Sequence, residues 1–112
     1  MNEFIILIHR DMISEHASPS QRQIEDAFKP YVEWVDDIAA EGKLIYPPKN
    51  WDSGGRVISR PDIVREGPYA ESTMSLSWFF LIKARDYDEA VAIASGCPII
   101  QYGAVVEVRM AV

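Results

Sequence analysis

Residues 76–84 read LSWFFLIKA, an apolar run of residue types that are enriched in β-strands. Because side chains alternate between the two faces of a strand, this run predicts one face of Leu76, Trp78, Phe80, Ile82 and Ala84 and an opposite face of Ser77, Phe79, Leu81 and Lys83. Both faces carry large apolar side chains. The strand is therefore expected to lie inside a sheet that is covered on both sides.

Three further strands are predicted, at residues 3–9, 42–46 and 104–110. The first of these is Ile-rich and almost entirely apolar, as is typical of a central strand. Pro47 and Pro48 end the second strand, and the loop-rich region that follows has turn-forming residues at 50–55 before a strand-like stretch at 56–60.

The first predicted helix begins at a capping box, in which Ser18 is followed by Pro19 at the first helical position and by Gln21. Gly42 ends this helix. Its apolar residues recur at spacings of three or four and are Ile24, Phe28, Tyr31, Val35 and Ile38. Pro30 is expected to kink the helix or to loosen its first half.

A second helix is predicted to begin at Asp86, with Glu89 completing its cap, and to end at Gly96 and Pro98. Its apolar positions are Tyr87, Ala90, Val91 and Ala94. The order of elements is β-α-β-β-α-β, which predicts a ferredoxin-like α+β fold with an antiparallel sheet. Since both helices of that fold lie on one side of the sheet, an apolar opposite side predicts a homodimer.

Length and composition argue against several kinds of domain organisation, partner and cofactor. The 112 residues fit one domain spanning 1–112, and a net charge of −6 without a basic cluster argues against a nucleic-acid partner. The apolar runs are too short to cross a bilayer and no targeting signal follows Met1, so no membrane association and a cytoplasmic location are expected. One cysteine and two histidines offer no internal disulfide and no zinc site, and no cofactor or metal is predicted.

Four stretches carry a family resemblance: EGPYAE at 66–71, ARDYDEA at 84–90, CP at 97–98 and VEVR at 106–109. They resemble the YCII-related family, specifically its DGPF subgroup, and the predicted elements occur in the family's order along nearly the whole chain. The resemblance implies a dimeric α/β barrel, in which two ferredoxin-like sheets pack face to face and leave a polar cleft between subunits. It implies no settled reaction.

The sequence departs from the subgroup's pattern in the segment around the signature. Glu66 stands where the signature has Asp, and Tyr69 stands where it has Phe. Where the family usually has a Lys-Glu pair this sequence has Thr73-Met74, and where the family has glycines before the strand it has Ser77-Trp78. The resemblance therefore implies a site that differs from that of the subgroup.

The catalytic candidates are His9, Asp11 and Glu66. His9 ends the first strand, where an imidazole that opens on a cleft can act as acid or base near neutral pH, and Asp11 could orient it. A histidine at the edge of the core explains the same pattern. Glu66 offers a second carboxylate, whose pKa burial would raise, although a turn at Gly67-Pro68 also explains that segment.

The resemblance also implies, for other branches of the family, a His-Asp dyad with His on the first helix. Asp11 matches the Asp, whereas Tyr31 occupies the helix position. A neutral tyrosine, with a reference pKa of about 10, is a poor base near pH 7, so Tyr31 is interpreted as a hydrogen-bond donor.

The substrate-binding candidates are Tyr31, Trp51, Arg56, Tyr69, Trp78 and Arg109. Three of them, Trp51, Tyr69 and Trp78, could line a pocket for a flat organic ligand together with Tyr46, although packing is the commoner use of a tryptophan such as Trp78. The arginines could bind a carboxylate, or Arg109 could form a surface ion pair with Glu107. His16 is expected to be solvated and Cys97 to be structural.

Two functions of different classes are consistent with these residues. The first is a cofactor-free enzyme of the muconolactone-isomerase kind, an isomerase or lyase that uses acid/base chemistry on a small organic acid in an intersubunit cleft. The second is a non-catalytic metabolite-binding or regulatory dimer module, which the absence of the helix histidine favours. A dimer with a purely structural role also fits.

Overall fold

The computed structural model describes residues 1–11, 21–47, 55–60, 63–66, 69–71 and 74–112. The strands in these ranges are β1 (Asn2–Asp11), β2 (Leu44–Tyr46), β3 (Arg56–Arg60), β4 (Ile63–Glu66), β5 (Ala70–Glu71), β6 (Met74–Ala84) and β7 (Val105–Met110). The helices are α1 (Gln21–Ala40) and α2 (Tyr87–Ala94), and a short 3-10 helix covers Pro98–Tyr102. The predicted cap at Ser18, His16, Trp51 and the turn at Gly67-Pro68 lie outside the described residues.

The main sheet has the order β2-β6-β1-β7, with β5 paired to β6, and its pairs are antiparallel. In the chain, α1 lies between β1 and β2, and α2 lies between β6 and β7. The predicted ferredoxin-like α+β fold is therefore confirmed. β3 forms over the predicted residues, but it pairs with β4 in a separate two-stranded hairpin, inserted between β2 and β6.

The hydrophobic core lies between the helices and one face of the sheet. Its members include Phe4, Ile6 and Ile8 from β1, Phe80, Ile82 and Ala84 from β6, and Ile38, Ala90 and Ala94 from the helices. The register pairs Ile6 with Phe80 and Phe4 with Ile82, so each strand presents alternate residues to the helices. Removing these side chains from water is the main favourable contribution to folding.

α1 remains helical through Pro30. Its buried side differs from the predicted stripe: Ala27 is buried and Trp34 packs against the core, whereas Phe28 is 66% exposed. The prediction was wrong at Phe28 because it ranked residues by hydrophobicity, while the helix rotates the small Ala27 and the large Trp34 toward the sheet. Among the described residues, no helix is long and apolar enough to cross a membrane.

The start of α2 and the end of α1 follow their sequence signals. Asp86 accepts a hydrogen bond from the backbone N–H of Glu89 at 2.9 Å, and the Glu89 carboxylate accepts one from the backbone N–H of Arg85 at 3.3 Å. This is the predicted start of α2. Gly42 follows α1 with a φ of 73°, a left-handed conformation that glycine adopts without steric cost.

A β-bulge at Ser77 reverses which side chains of the first residues of β6 point toward the helices. Ile8 lies opposite Trp78 but His9 lies opposite Leu76, so β6 accommodates one extra residue there. Leu76 consequently points to the side away from the helices and is 41% exposed. The prediction of one face from Leu76 to Ala84 was wrong at Leu76, because strict alternation holds only in an unbroken strand.

Candidate functional site

His9 lies near the end of β1, on the sheet face that the helices leave uncovered. Its Nε2 atom is 3.1 Å from Oε1 of Glu107, which lies on the neighbouring strand β7. The other oxygen of that carboxylate, Oε2, accepts a hydrogen bond from Nε of Arg109. The three side chains form a continuous His9–Glu107–Arg109 array.

The antiparallel pairing of β1 with β7 brings these three side chains together. Residues two apart in a strand share a face, which places Glu107 and Arg109 side by side. The antiparallel register sets Glu107 opposite Leu7, two residues from His9, so the carboxylate lies diagonally across from the imidazole.

The array keeps the Glu107 carboxylate ionised. Hydrogen bonds from Arg109 and then from His9 hold the pKa of Glu107 below its ordinary value. The side chains are 28% exposed for His9, 33% for Glu107 and 70% for Arg109, so water screens their attraction. The contribution of the array to stability is accordingly small, and its significance lies in the placement of an imidazole beside a fixed carboxylate.

The array borders an open groove of about 860 Å³. Leu76 and Val105, which are 41% and 56% exposed, contribute to an apolar wall. Tyr69 also lines the groove, and its backbone carbonyl accepts a hydrogen bond from the Ser75 hydroxyl. A groove with an apolar wall and a few polar groups is the usual form of a small-molecule site.

Tyr31 and Trp78 lie together on the other face of the sheet, which the helices cover. Their ring centroids are 5.8 Å apart and both side chains pack against the core. The Tyr31 hydroxyl is buried without a hydrogen-bond partner in the described ranges. Burial, and secondarily the Cys97 thiol, raises the pKa of Tyr31 above its ordinary value. Within one chain, these two candidates are separated from His9 by the sheet.

Arg56 and Glu66 are brought together on the hairpin of β3 and β4. Arg56 Nη2 is 3.7 Å from Glu66 Oε1, and the side chains are 61% and 85% exposed. Neither lines the groove of the same chain. The Glu66 carboxylate therefore lies exposed on the hairpin in the single chain, away from His9.

The remaining candidates occupy separate places. Asp11 ends β1 opposite Met74, and Trp51 lies outside the described residues. Cys97 is buried in the hydrophobic core, and burial raises the pKa of its thiol. In the part of the chain that the structure describes, no group of three or more His, Cys, Asp or Glu side chains is arranged to hold a metal ion.

Comparison with known proteins identifies the family of the chain. The family model of the YCII-related domain matches residues 4–111. The chain belongs to the YCII-related family. The YCII-related chain is similar to the solved structure of 5-chloro-2-hydroxyhydroquinone dehydrochlorinase from Burkholderia phenoliruptrix in complex with 2,5-dihydroxybenzoquinone. That similarity has 15% sequence identity and a TM-score of 0.47, over 92% of this chain and 90% of the other. Among curated proteins, none matches the YCII-related chain.

Sequence reasoning placed Glu107 beside Arg109 in this YCII-related chain but missed it as the partner of His9. The signal that was present is the two-residue spacing, which predicts a shared face for Glu107 and Arg109. Arg10 was also missed: its guanidinium lies 5.2 Å from the centre of the Trp78 ring, and its Nε donates to the Ser77 hydroxyl at 3.0 Å. The contacts of Glu107 with His9 and of Arg10 with β6 depend on strand register, which a single sequence does not reveal.

Proposed function

We propose that this YCII-related protein is a cofactor-free enzyme that transfers a proton on a small organic acid, with isomerase-like or lyase-like chemistry in the groove. The observation that carries the proposal is the His9–Glu107–Arg109 array at the edge of an apolar groove. It combines a titratable imidazole, a carboxylate that orients it and a guanidinium that reaches solvent. Membership of the YCII-related family fits a small-molecule function without specifying one.

The proposed roles follow from the chemistry of each group. His9 takes a proton from a carbon next to a carbonyl group, and the C–H electron pair passes into the enolate that results. The imidazolium then returns the proton to the same or another carbon, which completes an isomerisation without any net change in protons. Arg109 pairs with the substrate carboxylate, and Leu76 and Val105 contact its apolar body.

The other candidates have a less direct place in this proposal. Tyr69 belongs to it as a rim residue of the groove. Asp11 remains a predicted orienting residue, whereas among the described residues it is the Glu107 carboxylate that accepts the hydrogen bond from His9. The candidates that stay predictions without a place in the groove of the single chain are Tyr31, Arg56, Glu66 and Trp78. Trp51, which lies outside the described residues, also stays a prediction.

We further propose that a second copy of the chain completes the groove. The sheet face without helices carries Ile5, Leu7, Phe79 and Leu81, which are partly exposed, and Tyr46 stacks on Phe79 at 6.4 Å. An apolar sheet face of this kind is normally covered by another layer.

Native mass spectrometry tests the homodimer. The wild-type chain is expected at twice its mass of 12.7 kDa, and Leu81→Glu is expected as a monomer, because it places a charge on the face that would be buried. Val91→Glu is the matched control, since Val91 is 49% exposed on α2. A monomeric wild type, or equal dissociation by both variants, would refute a dimer through this face.

The proton-transfer function is tested by incubating the protein in D2O with muconolactone or phenylpyruvate and measuring deuterium incorporation. Both are small carboxylates with an acidic C–H, whereas benzoate lacks one and serves as a binding-only control. We expect the protein to incorporate deuterium into at least one of the two acids, at a rate about 100-fold or more above the rate in buffer alone. Saturable binding of these acids without any exchange would favour a non-catalytic metabolite-binding module instead.

A further inference from the structure

Glu107 uses both of its oxygens, one toward His9 and one toward Arg109. We infer that Glu107 is a positioning residue, which selects Nδ1 as the reacting nitrogen of His9 and aims the terminal nitrogens of Arg109 at the substrate carboxylate. This inference rests on the proposed function and deepens it. It assigns a role to a residue that lies next to the reacting groups without itself contacting the substrate.

The choice of nitrogen follows from what a carboxylate can do in a hydrogen bond. An ionised carboxylate accepts hydrogen bonds and has no proton to donate, so Nε2 of His9 must carry the hydrogen in the 3.1 Å contact with Oε1. In the neutral imidazole the lone pair is then on Nδ1. Among the described residues the ring makes no other hydrogen bond, so Nδ1 is available to a ligand.

The orientation of Arg109 follows from its second contact. Glu107 engages Nε, on the inner side of the guanidinium, and leaves the two terminal nitrogens without a partner among the described residues. Those two nitrogens match the two oxygens of a carboxylate. With Nε fixed, the outer pair is free to bind a substrate in a bidentate manner.

Glu107 is well placed for this role because it belongs to a strand. β7 is paired with β1 from Val105 to Met110, so the backbone that carries Glu107 and Arg109 is fixed relative to the backbone of His9. Functional groups on paired strands are held more precisely than groups on loops. When Nδ1 takes a proton, the adjacent carboxylate also stabilises the imidazolium without becoming protonated itself.

The tautomer of His9 provides a test that does not depend on activity. Long-range 1H–15N spectra of 15N-histidine-labelled protein, recorded where the imidazole is neutral, should show His9 protonated at Nε2 in the wild type. His9→Gln assigns the signal, because the chain has one other histidine. Glu107→Ala and Glu107→Gln should shift His9 to a mixture of tautomers. Glu3→Gln, an exposed change on the same sheet face, should leave it unchanged.

The deuterium-exchange assay tests the consequence for the reaction. Glu107→Gln should lower kcat by about tenfold or more and also raise KM, because neither His9, the base, nor Arg109, which binds the substrate carboxylate, is then held in position. Arg109→Gln should mainly raise KM, by about tenfold, because it removes only the anchor. Glu107→Asp should recover part of kcat, since it restores the negative charge.

The outcomes separate the inference from the proposed function. A wild-type His9 protonated at Nδ1, or a tautomer unaffected by Glu107→Ala, would overturn the inference even if exchange is observed. The expected tautomers, together with a lack of exchange in every acid, would support the positioning by Glu107 while refuting the proton-transfer function. Expected tautomers with a kcat for Glu107→Gln equal to that of the wild type would overturn the role of Glu107 in the reaction.

Discussion

Replacing His9 with glutamine is expected to slow deuterium incorporation by about 100-fold or more, the lower end of what a general acid–base group contributes. Glutamine preserves a polar side chain of similar length, so it can keep a hydrogen bond to Glu107. It has no group that can accept and return a proton near neutral pH. The loss should appear in kcat, because Arg109 still binds the carboxylate, and it is measured by NMR in D2O with the acid that the wild type exchanges.

The control for this prediction is His16→Gln, which changes the other histidine of the chain. Its exchange rate should equal that of the wild type. Circular dichroism and native mass spectrometry should show both variants folded and in the same oligomeric state. If His9→Gln exchanges protons as fast as His16→Gln while both remain folded, His9 is not the base and the proposed mechanism fails.

The fold was predictable because its main signals are local. A capping residue and its partner lie three residues apart, and the Asp86–Glu89 pair indeed begins α2. The apolar run of β1 and the alternation of most of β6 likewise depend only on neighbouring residues, and the fully buried Phe4, Phe80 and Ile82 lie in these two strands. The order of these elements then leaves few antiparallel arrangements, of which the ferredoxin-like one is observed.

The errors concern features that depend on distant parts of the chain. The bulge at Ser77 reverses the side of Leu76, and it is defined by how β6 pairs with β1. The hairpin of β3 and β4 has the same local pattern as a strand of the main sheet, so the pattern at residues 56–60 could not reveal its partner. Phe28 is exposed because rotation of α1 depends on what fits against the sheet.

The candidate site was predictable in part for the same reason. His9 was singled out by its residue type and its position at the end of the first strand, and Arg109 by its residue type, and the structure brings both to one groove. The link between them is Glu107, whose contact with His9 spans 98 positions in the sequence. Tyr31 and Trp78 were grouped with His9 by chemistry, whereas the sheet places them on its other face. Residue type was thus enough to select the candidate residues. Which of them lie close together in the folded chain is decided by strand register.

The largest expected effect on stability comes from Phe80→Ala. Phe80 is completely buried in the middle of β6, lies opposite Ile6, and meets the Trp34 ring edge-on with centroids 5.3 Å apart. Its truncation removes apolar burial and leaves a cavity between the sheet and α1, which together cost about 3–5 kcal/mol. The free energy of unfolding, measured by urea titration with circular dichroism at fixed protein concentration, should fall by this amount.

The matched control is Phe28→Ala, the same substitution on a side chain that is 66% exposed. It should change the free energy of unfolding by less than about 0.5 kcal/mol, because little burial is lost. Since domains of this kind are stable by about 5–15 kcal/mol, Phe80→Ala removes a large share of the total while Phe28→Ala removes almost none. Equal losses at the two positions would contradict the rotation of α1, because burial of Phe28 is what the sequence stripe predicted. Comparing the two variants therefore tests the rotation of α1, which is one of the features of the fold on which sequence and structure disagree.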